Sequence, residues 1–254
     1  MSGALEIAAR DLRRLFAGPL AWCILALTQL ILGLFFFIVS LWDFGTKQPL
    51  LVAAESGFGI TAFVAAPLFK AAALLLVLVV PLLSMRALAE ERRSGTLALL
   101  LSAPVSMTAI VLGKYLALLA FLALMVAMAA LMPLSLALGG ALDYALLASA
   151  TLALVLCAAT FAAAGLYMSS LTAQPGTAGM TALAVLLALW FIDAGGAAAP
   201  GGPAEALAWL SLTRHADALM RGVFASADVA YFLLLIVTFL VFTVRRLDAL
   251  RRGE

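Results

Sequence analysis

Residues 65–104 read AAPLFKAAALLLVLVVPLLSMRALAEERRSGTLALLLSAP, a long apolar run followed at once by a short charged stretch. A helix rises about 1.5 Å per residue, so a hydrocarbon core about 30 Å thick needs about 20 apolar residues. Residues 65–85 have that length and predict a membrane-spanning helix. Residues 86–105, called the charged segment below, are then expected at one membrane face.

The rest of the chain is similarly apolar. Of its 254 residues, 66% are hydrophobic and 11% are charged, which is more apolar side chain than a soluble domain of this size can bury. The 15 lysines and arginines nearly balance 13 aspartates and glutamates, so a nucleic-acid partner is not expected. Cys23 and Cys157 lie in apolar runs, where a thiol behaves as a small hydrophobe. The composition therefore predicts an integral membrane protein without a disulfide framework.

Six apolar stretches reach or approach the length of a membrane span: residues 20–42, 65–85, 111–134, 144–168, 177–193 and 229–244. The fifth and sixth are the shortest. We therefore predict an all-α protein with six transmembrane helices, forming one domain over residues 1–254.

Basic residues are unevenly distributed around these predicted spans. With the N-terminus inside, the outer side carries four of the 15 lysines and arginines: Lys47, Lys70, Arg214 and Arg221. The inner side carries the other eleven: Arg10, Arg13, Arg14, Arg86, Arg92, Arg93, Lys114, Arg245, Arg246, Arg251 and Arg252. Loops rich in Lys and Arg remain on the cytoplasmic side, so this distribution predicts cytoplasmic N- and C-termini.

The first residues predict an amphipathic helix along the inner membrane interface, over residues 1–19 and ending at Gly18 and Pro19. A solvated helical overhang is the alternative. Apolar residues recur on one side and charged residues on the other. The apolar set is Leu5, Ala8, Ala9, Leu12, Leu15 and Phe16; the charged set is Glu6, Arg10, Asp11, Arg13 and Arg14.

The longest segment between predicted spans is residues 194–228, on the outer side. Arg214, Asp217 and Arg221 recur at spacings of three and four and would share one helical face. We expect one or two short helices here, lying on or in the outer leaflet. The single histidine, His215, has no second histidine or cysteine nearby, so a local structural role is favoured over a proton relay or a metal site.

Two further features have competing interpretations. Lys70, near the outer start of the second span, is expected to extend to the lipid head groups rather than to contact a substrate. Small residues in the third and fourth spans favour close helix packing over a smooth wall for a lipid-like substrate. These small residues are Ala120, Ala123, Ala127, Ala158, Ala159, Ala162, Ala163 and Gly165.

The charged segment has a recognisable shape. Gly95 can end one helix and Thr96 can begin the next, which would run through a leucine-rich stretch to Pro104. Such an element could offer an apolar knob and several charges to a soluble partner. The alternative is an ordinary solvated loop, and charge alone does not separate the two.

Two blocks of sequence resemble type 2 ABC-transporter permeases. The first is Met85–Arg86 followed by residues 89–97 and 100–105, with Val111-Leu112-Gly113-Lys114 downstream. The second comprises residues 210–217, 221–224 and 228–232, and resembles the gliding-motility-associated branch of that family. The resemblance covers most of the chain.

The resemblance implies a six-span permease half that works as two permease copies, alike or different, with two cytoplasmic ATPase subunits. The charged segment would then be the coupling helix between the second and third spans. The residues that would form or flank the ATPase contact are Glu90, Glu91, Arg92, Arg93, Gly95, Thr96 and Leu97. Many relatives have a glutamate at the position of Ala98, so one contact is in doubt here.

The chain itself lacks a phosphate-binding loop, because Gly113–Lys114 is followed by Tyr115 and preceded by Thr108 where the first glycine belongs. We therefore expect a non-catalytic subunit without cofactor or metal, with ATP and Mg²⁺ on the partner ATPase, exporting a substrate across a bacterial inner membrane. One alternative is a membrane subunit that drives an extracytoplasmic or auxiliary partner protein through the outer segment from Glu205 to Asp228, with Arg214, His215, Asp217 and Arg221. A lipid-modifying enzyme is a weaker alternative, because paired catalytic groups are missing from the spans.

Overall fold

The computed structural model describes residues 2–43, 46, 60–97, 105–138, 142–192 and 210–252, and all regular structure within these ranges is helical. We number the α-helices in chain order. They are α1 (Ser2–Ala17), α2 (Pro19–Phe37), α3 (Ile60–Ser84), α4 (Ala89–Arg93), α5 (Met107–Leu134), α6 (Tyr144–Leu171), α7 (Pro175–Phe191), α8 (Leu212–Met220) and α9 (Ser226–Arg252). A π-helical turn, Ile38–Asp43, extends α2, and a 3₁₀ turn, Ser135–Leu138, extends α5.

Five of the described helical stretches are long and apolar enough to cross a membrane: Pro19–Phe37, Phe63–Arg93, Met107–Leu138, Tyr144–Leu171 and Ser226–Arg252. The fifth predicted span, residues 177–193, corresponds to α7, whose 17 residues extend about 26 Å. That is shorter than a typical hydrocarbon core. The last predicted span, residues 229–244, lies within α9, which continues beyond it to Arg252 as a basic helical end.

Helix α6 lies at the centre of the bundle, packed against α3, α5, α7, α8 and α9. The apolar stretch of α6 is 61% buried. The corresponding stretches of α2 and α9 are 28% buried, so these two helices are peripheral. Close packing depends on small residues. A Cβ at Gly165 would collide with the side chain of Ser84 on α3, so only glycine allows this approach.

The small residues of the third and fourth predicted spans separate into two groups. Those of α6 are buried, in agreement with the packing interpretation: Ala158, Ala159, Ala162 and Ala163. Those of α5 are exposed in the single chain: Ala120, Ala123 and Ala127. For α5, therefore, the small residues do not explain packing within one subunit.

The N-terminal helix ends as predicted, because Gly18 precedes Pro19 at the first turn of α2. On its predicted apolar side, Leu12, Leu15 and Phe16 pack against the core. Ile7 is buried and Asp11 is largely covered, whereas Leu5 is 62% exposed. Asp11 is covered because α1 packs along α5, where Lys114 faces α1 and pairs with Asp11.

Candidate functional site

A buried lysine joins three elements at one end of the bundle. The Nζ of Lys114 on α5 donates to Oε1 of Glu91 on α4 at 2.6 Å and to Oδ2 of Asp11 on α1 at 3.0 Å. The lysine side chain is 3% exposed and the two carboxylates 9% and 16%. A buried cation of this kind requires partners, because an unpaired charge in a poorly solvated site is costly. We call Asp11, Glu91 and Lys114 the charged junction.

The residue before Lys114 explains how α1 comes close enough to pair. A Cβ at Gly113 would lie 2.8 Å from the carbonyl oxygen of Ala4 and 2.8 Å from side-chain atoms of Ile7. Only glycine therefore allows this contact between α1 and α5. Gly113 therefore allows α1 to approach α5 closely, and the adjacent Lys114 binds α1 through Asp11.

Helix α4 is anchored at its start by a residue from another helix. Leu88, its N-cap residue, has no side-chain acceptor, and the backbone N–H groups of Leu88 and Ala89 instead donate to Oγ of Ser169 at 3.1 Å each. The Ser169 hydroxyl donates to the Met85 carbonyl at 3.3 Å. Because Ser169 belongs to α6, the central helix fixes the position of α4.

A second contact ties α4 to α6. Nη1 of Arg92 donates to the carbonyl oxygen of Ser170 at 2.9 Å, near the end of α6. This bond satisfies a carbonyl that the helix end leaves without an intrahelical partner. Together with Lys114, these bonds attach a five-residue helix to α1, α5 and α6.

The break predicted after α4 is present. Gly95 has φ +74°, the left-handed conformation that glycine adopts readily at the end of a helix. The Thr96 hydroxyl lies 2.8 Å from that of Ser94 and donates weakly to the Glu91 carbonyl at 3.4 Å. Thr96 therefore also contacts the end of α4. Residues 98–104, including Ala98 and the rest of the predicted second helix, lie outside the described residues.

The predicted contact residues differ in exposure. Arg93, Gly95 and Thr96 are exposed, and the Glu90 side chain is 40% exposed. Glu91 is 7% exposed and its charge is used internally by Lys114, while Leu97, expected to form part of an apolar knob, is 6% exposed. An ATPase contact through these residues remains a prediction, and for Glu91 and Leu97 burial limits it to an indirect, positioning role.

Sequence reasoning missed three residues of this site: Asp11, Lys114 and Ser169. Lys114 was counted only as an inner positive charge, although a lone lysine within the apolar run 111–134 already suggested a buried partner. Asp11 was assigned to the solvent side of α1. Ser169 carries no local pattern, because it caps a helix 80 residues earlier in the chain.

At the opposite end of the spans, α8 forms a second polar cluster. Nζ of Lys70 on α3 donates to Oδ2 of Asp217 at 2.9 Å, so Lys70 has a protein partner that the sequence did not indicate. Arg214 and Arg221 are exposed. The Lys70 contact therefore fixes α8 to α3, which sequence spacing alone could not predict.

His215 has the structural setting that was favoured for it. It is buried, its Nδ1 lies 2.6 Å from Oδ1 of Asp228, and its ring stacks on Tyr231 with centroids 4.2 Å apart. Within the described ranges, no group of three or more His, Cys, Asp or Glu side chains has a metal-binding arrangement. Residues 193–209, which begin the outer segment, are outside those ranges, as is Lys47.

The family model described as ABC-2 family transporter protein matches residues 5–249, nearly the whole chain. The chain belongs to the ABC-2 transporter family. This ABC-2 chain is therefore a multi-pass membrane subunit of an ABC transporter, a class that associates with ABC ATPases. No curated protein matches it at a significant level. The resemblance to type 2 ABC permeases is confirmed at the level of the family.

Proposed function

We propose that this chain is the permease half of an exporter driven by separate cytoplasmic ATPase subunits. Membership of the ABC-2 family supports an ATPase partner. The distribution of basic residues supports six spans with both termini inside a bacterial inner membrane, with α7 as the short fifth span. The assignment to the gliding-motility-associated branch is part of the same proposal and rests on the outer block of sequence.

The charged junction is the single observation that carries the coupling mechanism. Lys114 of α5 holds α4 through Glu91 and α1 through Asp11. Separating a buried ion pair leaves uncompensated charge at a cost of several kcal/mol, so displacement of α4 is expected to move α5 and α1 with it. ATPase closure would thereby reach a transmembrane helix through side chains.

The charged side chains of α4 have two different roles in this mechanism. Glu91 and Arg92 anchor it to the bundle, through Lys114 and the Ser170 carbonyl respectively. Glu90 and Arg93 are more exposed and are available to an ATPase. We therefore assign docking to Glu90 and Arg93 and force transmission to Glu91 and Arg92.

A second permease copy is expected against the peripheral helices. The apolar stretches of α2 and α9 are 28% buried in the single chain. Large side chains on them are exposed, such as Leu30 (70%) and Leu234 (68%). Lipid covers part of this surface. A homodimer or heterodimer through it would enclose the export path between two copies.

The experiment uses the full chain and a charge reversal of the docking residues. Glu90→Lys combined with Arg93→Glu leaves the buried pairs intact, whereas reversal of Glu91 would place a cation beside Lys114. We expect normal membrane insertion and at least about a tenfold loss of a co-purifying chain that labels with 8-azido-ATP and carries a phosphate-binding loop. Arg252→Glu, at the exposed end of α9, is the matched control.

Two results would contradict the proposal. One is an unchanged yield of the labelled ATPase from the double variant. The other is loss of the ATPase from the Arg252→Glu control to the same extent, which would indicate a general charge effect. Stimulation of ATP hydrolysis without any transported substrate, together with crosslinking of the outer segment to a periplasmic protein, would favour force transmission to that protein over export.

A further inference from the structure

A cavity of about 170 Å³ opens beside the charged junction, between α1, α2, α3, α4 and α5. This volume is roughly ten times the ~15 Å³ that holds one water molecule, so a group of many atoms can enter. One part of the wall is apolar, with Leu20, Leu82, Leu83 and Leu118. The other is charged, with Asp11, Arg14, Arg86, Glu90, Glu91 and Lys114. The wall is thus amphipathic.

The charges of this wall balance. Three cations face three carboxylates, so their formal sum is zero. Lys114 is already neutralised by Asp11 and Glu91, and Arg14 approaches Glu90 only to 3.9 Å. A neutral lining with separated charges of both signs complements a ligand that is itself zwitterionic.

Two groups in the wall retain unused binding capacity. Oε2 of Glu91 is buried and accepts no hydrogen bond from the described residues, although a carboxylate oxygen in such a place normally has a donor. Arg86 is exposed and forms no ion pair within the described ranges. Glu91, with this unused acceptor, and Arg86 therefore line the same cavity.

We propose that this cavity binds the headgroup of a zwitterionic phospholipid that carries a phosphate and a primary ammonium. The phosphate pairs with Arg86 and Arg14, because guanidinium groups bind phosphate oxygens through parallel hydrogen bonds. The ammonium donates to Oε2 of Glu91. The acyl chains lie along Leu20 and Leu82, which are 39% exposed and 47% exposed respectively.

Two other lipid classes fit this wall less well. An anionic headgroup would satisfy the arginines and leave Oε2 of Glu91 without a donor, next to a second negative charge. A quaternary ammonium carries no N–H group, so it cannot donate to that oxygen. Recognition of a primary ammonium therefore depends on Glu91, and recognition of the phosphate on Arg86 and Arg14.

The experiment measures lipid binding by native mass spectrometry of the purified full chain in detergent. Dioctanoyl phosphatidylethanolamine, phosphatidylcholine and phosphatidylglycerol are added singly at matched concentrations. We expect phosphatidylethanolamine to bind about tenfold more tightly than either other lipid, a difference of about 1.4 kcal/mol. Arg86→Ala is expected to lower the affinity for phosphatidylethanolamine about tenfold. Arg251→Ala, at the end of α9, is the matched control.

Arg14→Ala provides a second variant on another helix and is expected to weaken phosphatidylethanolamine binding in the same direction. Equal binding of the three lipids, preference for phosphatidylglycerol, or unchanged affinity in both arginine variants would overturn the proposal. Binding is measured without an ATPase, and the inference rests on the membrane location of the chain. Its failure is therefore distinct from failure of the coupling mechanism.

Discussion

The ammonium of Lys114 and the carboxylate of Glu91 lie 2.6 Å apart, although the residues are 23 positions apart and belong to different helices. The side chains are 3% and 9% exposed, so water contributes little to either charge. Such a pair resists separation more strongly than a surface ion pair, because each partner alone would be a buried unpaired charge. It links α4 to α5.

Lys114→Met is expected to destabilise the protein by about 3–5 kcal/mol, because it leaves Asp11 and Glu91 buried without their cation. Thermal unfolding of the detergent-solubilised chain measures the loss. Replacing Glu91 by Gln in the same chain is expected to recover part of it, since one buried carboxylate is then removed. Arg252→Met, at an exposed position, serves as control and should change the midpoint little.

Equal midpoints for Lys114→Met and Arg252→Met would show that Lys114 is not a buried, paired group. Strict additivity of Lys114→Met and Glu91→Gln would be equally damaging, because directly contacting residues show a coupling energy in double-mutant cycles.

The boundaries of the helices were largely predictable because they follow local rules. Gly18 and Pro19 separate α1 from α2, and Gly95 ends the turn after α4, as the properties of these residues require. The inner contacts were not predictable in the same way. Glu90 and Glu91 are adjacent and equally acidic, yet only Glu91 meets a lysine on a distant helix. Local periodicity contains no information about that partner.

Ser169→Ala is expected to loosen the start of α4. It removes the oxygen that accepts from the backbone N–H groups of Leu88 and Ala89, at a cost of about 1–2 kcal/mol for a lost cap. Amide hydrogen exchange of residues 88–93 should therefore accelerate. Ser135→Ala, which removes a surface hydroxyl bonded to the Met132 carbonyl, should leave that exchange unchanged. Unchanged exchange in Ser169→Ala would contradict the cross-helix cap.

Gly95→Ala is expected to lower stability by about 1 kcal/mol and to weaken coupling, because φ +74° disfavours any residue with a Cβ. Crowding is not the reason, since nothing lies within 4 Å of a Cβ placed there. Gly176→Ala is the matched control: it is equally uncrowded, and its φ is not positive. Unfolding midpoints and ATPase stimulation measure the two variants. Equal behaviour would argue against a left-handed turn at Gly95.

The contact between Lys70 and Asp217 predicts a rescue by charge exchange. Lys70→Glu should destabilise the attachment of α8 by about 1 kcal/mol or less, because the lysine side chain is 54% exposed and that of Asp217 31% exposed. Adding Asp217→Lys should restore the midpoint, and added salt should reduce both effects. Combining Lys70→Glu with Arg214→Lys should give no rescue. Rescue by that second combination would disprove a specific pair.

These outer contacts also show why the sequence could not assign Lys70. Its partner follows 147 residues later, and a lysine flanked by apolar residues near the end of a span suits a lipid interface equally well. His215 was easier to interpret, since an isolated histidine beside aspartates favours a structural hydrogen bond. The structure supplies Asp228 as that partner, with Tyr231 stacked on the ring.

In the proposed mechanism, ATPase motion reaches the membrane helices through Glu91 and Lys114. Its most direct test is the distance between spin labels at position 214 of two permease copies, measured by pulsed electron resonance with the ATPase bound. In the otherwise unchanged chain, ATP and vanadate should shift this distance. In Glu91→Gln the ATPase should remain bound and the shift should be lost or strongly reduced. A full shift in that variant, with the ATPase bound, would contradict the account.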